Sequence, residues 1–141
     1  MAEPGGAGSR KPDKEFASSE RLFRRVPSWD LEGDSVNDTA LPSPSFSVNR
    51  EKYSTPGDAL KGYEGYRVAA FTVGNLSDNV EGNDKLRYGM RVEHEPEADN
   101  YAHSGVHTFR GGEKMIKKPP LATRKKLREL LRRGVEILSL D

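Results

Sequence analysis

From Lys85 to His94 the chain alternates, with Leu86, Tyr88, Met90 and Val92 on one side and Arg87, Gly89, Arg91 and Glu93 on the other. Successive side chains of a strand point to opposite faces, so this pattern is satisfied by a strand with one face buried and the other solvated. A half-buried strand needs partners, and the neighbouring segments supply them. Arg67–Val73 is rich in β-branched and aromatic residues and stops at Gly74-Asn75, while Gly105–Phe109 stops at Gly111-Gly112. Phe46-Ser47-Val48 alternates as well. The polar connection 74–85, turning at Gly82-Asn83-Asp84, suits an antiparallel pair with a long hairpin loop. These segments predict a small, mainly antiparallel sheet made from parts of 46–48, 67–73, 86–94 and 105–110.

Two helices are expected to cover it. Ser54 or Thr55 can cap a helix with Pro56 in its first position and Asp58 in its first turn, and Gly62 ends it within two turns. Arg50, Lys52 and Tyr53 precede that start, where free N–H groups favour an anion, so a phosphate or carboxylate subsite competes there with a plain surface. After Pro119-Pro120, Leu121, Leu127, Leu130, Leu131, Val135 and Leu138 recur at helical spacing. Gly134 is a natural stopping point, which leaves Val135–Leu138 as a final strand or an extended tail. The class is therefore α+β, a small antiparallel sheet covered by a short helix and an amphipathic C-terminal helix.

Towards the N-terminus, residues 1–20 carry Gly, Pro, Ser and charge with little to bury, and they read as a disordered tail ahead of a single domain spanning 21–141. Leu22–Val26 is a short strand or a last helical turn before Pro27, and Trp29 is expected to anchor the domain edge. Residues 30–45 are acidic and broken by Pro42 and Pro44, an exposed loop without the ligand spacing of a calcium-binding loop.

No apolar run reaches the roughly 18 residues of a membrane span, and the first residues lack the apolar stretch of a secretion signal. There are no cysteines, which excludes disulfides and thiolate chemistry. A soluble, cytoplasmic protein without a membrane partner is the simplest expectation. The net charge of +1 conceals a segregation. Residues 30–100 hold fourteen Asp and Glu against seven Lys and Arg, whereas residues 110–133 hold ten Lys and Arg against Glu113 and Glu129. Where charge sits, rather than its total, determines the field a partner meets.

That basic segment carries the favoured functional reading. Lys117, Lys118, Arg124, Lys125, Lys126, Arg128, Arg132 and Arg133 form a dense run on and before the C-terminal helix. They suit an acidic protein or a nucleic-acid backbone, and the lack of interleaved aromatics makes any nucleic-acid contact one to phosphates.

The second reading is a small hydrolase or transferase acting on a phosphorylated substrate. All three histidines, His94, His103 and His107, fall at or after the end of the alternating strand, together with Glu93, Glu95, Glu97 and Asp99. An imidazole beside a carboxylate can serve as a general base. His103 with Glu95 as orienter and Arg91 as the anion-neutralising cation is the candidate set, next to Ser104 and Tyr101. The competing reading has the same histidines bracing a long turn through backbone hydrogen bonds, and it is preferred. If 103–107 is a strand, His103 and His107 lie roughly 13 Å apart, too far to share one ion. No metal and no cofactor is called for.

Overall fold

The computed structural model describes residues 11–139. Among the described residues there are ten strands: β1 (Arg21–Val26), β2 (Leu31–Glu32), β3 (Ser35–Val36), β4 (Ser45–Arg50), β5 (Arg67–Thr72), β6 (Val80–Glu81), β7 (Arg87–His94), β8 (His103–Arg110), β9 (Glu113–Lys114) and β10 (Glu136–Leu138). The helices are α1 (Pro56–Ala59) and α2 (Leu121–Arg132). β2 and β3 form a separate small ribbon; the others build one sheet in the order β10-β5-β1-β4-β8-β7-β6, with β9 added to β8. Every pairing is antiparallel and the sheet is strongly curled, a half-barrel with few helices.

The alternation that suggested β7 holds where it matters: Tyr88 and Met90 are buried, and Leu86, outside the strand, is 39% exposed. Leu22–Val26 is a strand, and a central one, because β5 and β4 pair on its two sides. Of Val135–Leu138, Glu136–Leu138 forms a strand, with Ile137 opposite Ala69 on β5.

Register sorts the side chains into two faces. Leu22, Phe46, Val48, Phe71, Met90 and Val106 share one face and form the main core with Leu127 and Leu131 of α2. On the other face α1 covers only one corner, where Ala59 packs on Phe23, Val68 and Ala70. Beyond that corner the same face of β4, β8 and β7 carries Ser47, Asn49, His103, Gly105, His107, Arg91 and Glu93, of which Ser47 and Arg91 are exposed and Asn49 and Gly105 are buried.

Some local expectations change. The first α-helix stops at Ala59, a single turn capped by the Thr55 hydroxyl accepting from Asp58 N–H. Trp29 is not a core anchor: it is 73% exposed, edge-on to Tyr66 with ring centroids 6.4 Å apart, because the 3-10 turn Ser28–Asp30 lies outside the sheet. The stretch 1–20, read as a tail, is described only in its second half. Residues 1–10 lie outside the described residues, but 11–20 lie against the sheet, held by polar contacts that a hydrophobicity criterion does not register.

Candidate functional site

β1 pairs with β5 along its whole length but with β4 only at Leu22↔Arg50 and Phe23↔Asn49. β4 meanwhile continues along β8 from Asn49 back to Ser45. Past Phe23, therefore, β1 and β4 part, and their unpaired backbone groups need other partners. Arg24 supplies one of them: its Nη1 donates to Ser47 O and its Nε to Ala40 O outside the sheet, both at 2.9 Å, with the guanidinium over the Phe46 ring. Desolvation in this position pushes the Arg24 guanidinium below its ordinary pKa.

The notch left between the strands is a cleft of about 280 Å³ whose walls include Arg24, Arg25, Asp30, Ser47, Asn49 and His103. Arg25 donates to Ala59 O at 3.2 Å and lies 3.9 Å over the Tyr63 ring. On the far wall, His103 Nδ1 is 2.8 Å from Glu95 O. A carbonyl only accepts, so Nδ1 carries a proton, and in the neutral form of the ring Nε2 is an acceptor. The Ser47 hydroxyl, 3.2 Å from Nε2, donates to it, and a Glu97 carboxylate oxygen is 3.7 Å from the same nitrogen.

The set His103, Glu95 and Arg91 is not brought together as expected. The Glu95 carboxylate turns to His107 Nε2 at 2.7 Å, and only its backbone carbonyl reaches His103. Arg91 stacks over Phe109 at 4.8 Å. Ser104 is buried on the core face with its hydroxyl on Ala102 O, and Tyr101 donates to Lys11 O.

His107, Glu93 and Glu95 do converge, with one ligand atom each within 4.8 Å of the others, a donor set of the kind that holds a divalent cation. Within the chain, Lys114 already pairs with Glu93. Gly105 makes room for the crossing carboxylate: a Cβ there would lie 2.4 Å from Glu95 Oε1 and 2.7 Å from His107 Nε2.

The anion subsite considered before α1 is filled by the chain's own carboxylates. Arg50 is fully buried; Nε and Nη2 grip Glu20 at 2.9 and 2.8 Å, and Nη1 and Nη2 donate to the carbonyls of Asp13 and Glu15. Its guanidinium lies 3.8 Å over the Phe16 ring. Asp13 accepts from Lys52 and Tyr53, bonds that hold its carboxyl well below the usual carboxylate range and raise Lys52 and Tyr53. His94 completes the clasp, accepting from Asp13 N–H at Nδ1, stacking on Tyr53 and bonding Tyr101 O through Nε2. This histidine braces the turn.

The basic helix divides into two sets. Arg124 Nε donates to Pro119 O, Arg128 Nε to Leu41 O, and Arg132 reaches Asp38 and Glu32, so these three tie α2 to neighbouring loops. Arg133 pairs with Glu129 one turn back. Lys117, Lys118, Lys125 and Lys126 are exposed. Among them stand Ile116, 93% exposed, and Leu121, 53% exposed, although Leu121 was expected on the inner face.

Reasoning from sequence missed Ser47, Arg24 and Asn49, because no local pattern announces where two strands part. The alternation of Phe46-Ser47-Val48 did place Ser47 opposite the core. Comparison of the chain with protein-family models, with curated proteins and with solved structures finds no match. Among the described residues, no helix is long and apolar enough to cross a membrane.

Proposed function

We propose that the protein is a small interaction module that docks an acidic segment of a partner protein on the surface formed by Met115–Lys126. The carrying observation is the exposure of Ile116 and Leu121 among four exposed lysines. An aliphatic side chain of this size left in water forgoes about 1.5–3 kcal/mol, and a partner that covers it recovers that free energy. An apolar anchor inside a charged rim is the arrangement that concentrates binding energy at an interface. Beside Ile116 a shallow cleft of about 460 Å³ is lined by Leu86, Met115 and Lys117, a recess for a partner's apolar side chain.

An acidic protein suits this surface better than nucleic acid. Its apolar members are aliphatic, so they offer no ring for a base to stack on, while a peptide of alternating acidic and aliphatic residues matches both features. Arg128 and Arg132, tethered to Leu41 and to Glu32 and Asp38, act in the fold rather than at the interface. The lack of cysteine fits work in a reducing compartment such as the cytoplasm.

The test is fluorescence anisotropy with a labelled Glu/Leu peptide, duplex DNA and single-stranded RNA, at about 50 mM and about 300 mM salt. The peptide should bind at low salt and be released at high salt. Replacing Lys117, Lys118, Lys125 and Lys126 with Ser should weaken binding by about tenfold or more, and Ile116→Ser should do so with little change in salt dependence. DNA binding as tightly as the peptide, or variants matching the parent, would contradict the proposal.

A further inference from the structure

We propose that the notch between β1 and β4 is a hydrolytic site, with Ser47 as nucleophile and His103 as its base, acting on carboxylic esters that carry a second, anionic group. It stands apart from the docking surface and uses none of its residues.

Three observations converge. First, geometry selects the neutral tautomer: with Nδ1–H committed to the Glu95 carbonyl, Nε2 of the neutral ring accepts, and the hydroxyl it faces is that of Ser47 at 3.2 Å. A nucleophile within hydrogen-bond reach of a base that a third group orients is the signature of covalent catalysis, and such contacts are commonly longer before substrate binds. Second, the pair opens to solvent. Ser47 is exposed and both residues line the cleft, unlike Ser104, which is buried on the core face. Third, the wall carries the groups the reaction needs. Asn49 Oδ1 accepts from Asn100 Nδ2, which leaves the Asn49 amino group as a donor, and Arg24 and Arg25 bring two guanidiniums to the cleft with the carboxylate of Asp30, while the Glu97 carboxylate sits at His103 Nε2. A substrate with a carboxylate or phosphate on its acyl part is therefore favoured over a neutral one.

The steps balance without a further reagent. Ser47 Oγ forms a bond to the ester carbonyl carbon while its proton passes to His103 Nε2. The oxyanion is met by the Asn49 amide, and the Glu97 carboxylate 3.7 Å from Nε2 stabilises the imidazolium. The carbon–oxygen bond to the leaving alcohol then breaks, and Nε2 returns the proton to that oxygen. Water, deprotonated by Nε2, cleaves the acyl-serine to the free acid, and Ser47 recovers its hydrogen.

Intact-mass spectrometry of the full chain after treatment with diisopropyl fluorophosphate tests the nucleophile, with peptide mapping to locate any adduct. One adduct on Ser47 is expected, absent in Ser47→Ala and formed at least about a hundredfold more slowly in His103→Gln, since a positioned base contributes about 10²–10⁴-fold. His103→Gln retains an amide donor for Glu95 O, and its melting temperature shows whether the fold persists. In parallel, p-nitrophenyl succinate should be hydrolysed faster than p-nitrophenyl acetate, and Arg25→Gln should remove that preference. No adduct on the parent protein, an adduct elsewhere, or labelling independent of His103 in a folded variant overturns the proposal.

Discussion

Replacing Arg50 with Met should destabilise the protein and free its N-terminal segment at once. Arg50 has no exposed surface, and Glu20, its partner, keeps only 8% of its side-chain exposure. Removing the guanidinium leaves a nearly buried carboxylate without its charge partner and strips donors from the carbonyls of Asp13 and Glu15. Breaking one side of a buried ion pair costs about 3–5 kcal/mol. For a chain of this length that corresponds to a fall in melting temperature of roughly 10–20 °C. Circular dichroism during heating measures the fall, and trypsin reports the release through faster cleavage after Lys14, which is exposed but flanked by anchored residues. The double variant Arg50→Met with Glu20→Met removes the orphaned charge and should recover a large part of the loss. A single-variant loss below about 1 kcal/mol, or unchanged cleavage after Lys14, would refute the idea that Arg50 holds residues 11–20 on the sheet.

Asp13 gives a pH signature. Its folded pKa is depressed by Lys52 and Tyr53, so its contribution is complete above the ordinary carboxylate pKa of about 3.9 and is lost as pH falls through the lower folded value; carboxyl carbon shifts should show Asp13 titrating below other aspartates. Gly105→Ala should cost about 1–3 kcal/mol by forcing Glu95 off His107, visible as a changed His107 ring resonance in NMR spectra. Leu127→Ala empties a buried position between α2 and the sheet, with an expected loss of about 2–5 kcal/mol in chemical denaturation.

Local pattern revealed elements and faces. The alternation through Tyr88 and Met90, the β-branched run at Arg67 and the spacing of Leu127 and Leu131 are each consequences of one side of an element meeting the core. Contacts between distant segments were not legible. Arg50 and Glu20 are thirty positions apart, and nothing near either residue says that a basic side chain will be buried or that a segment poor in apolar residues will be ordered by it. The notch is hidden for a related reason: it exists because pairing between β1 and β4 stops after Phe23, a property of register between strands. The basic run was visible as charge, but which cations tie down loops and which face solvent depends on where Leu41, Asp38 and Glu32 lie. Ile116 gave no signal at all, since one isoleucine in a lysine-rich loop looks like any surface apolar residue until its exposure is known.

The docking surface is tested most directly by titrating isotope-labelled protein with the Glu/Leu peptide and following the backbone amides. The account predicts shifts concentrated at Lys114–Lys126 and at Leu86 beside the Ile116 cleft, reversed by salt, with the amides of Arg24, Ser47 and His103 unmoved. Shifts centred on the notch, or no shifts at low salt, would contradict it.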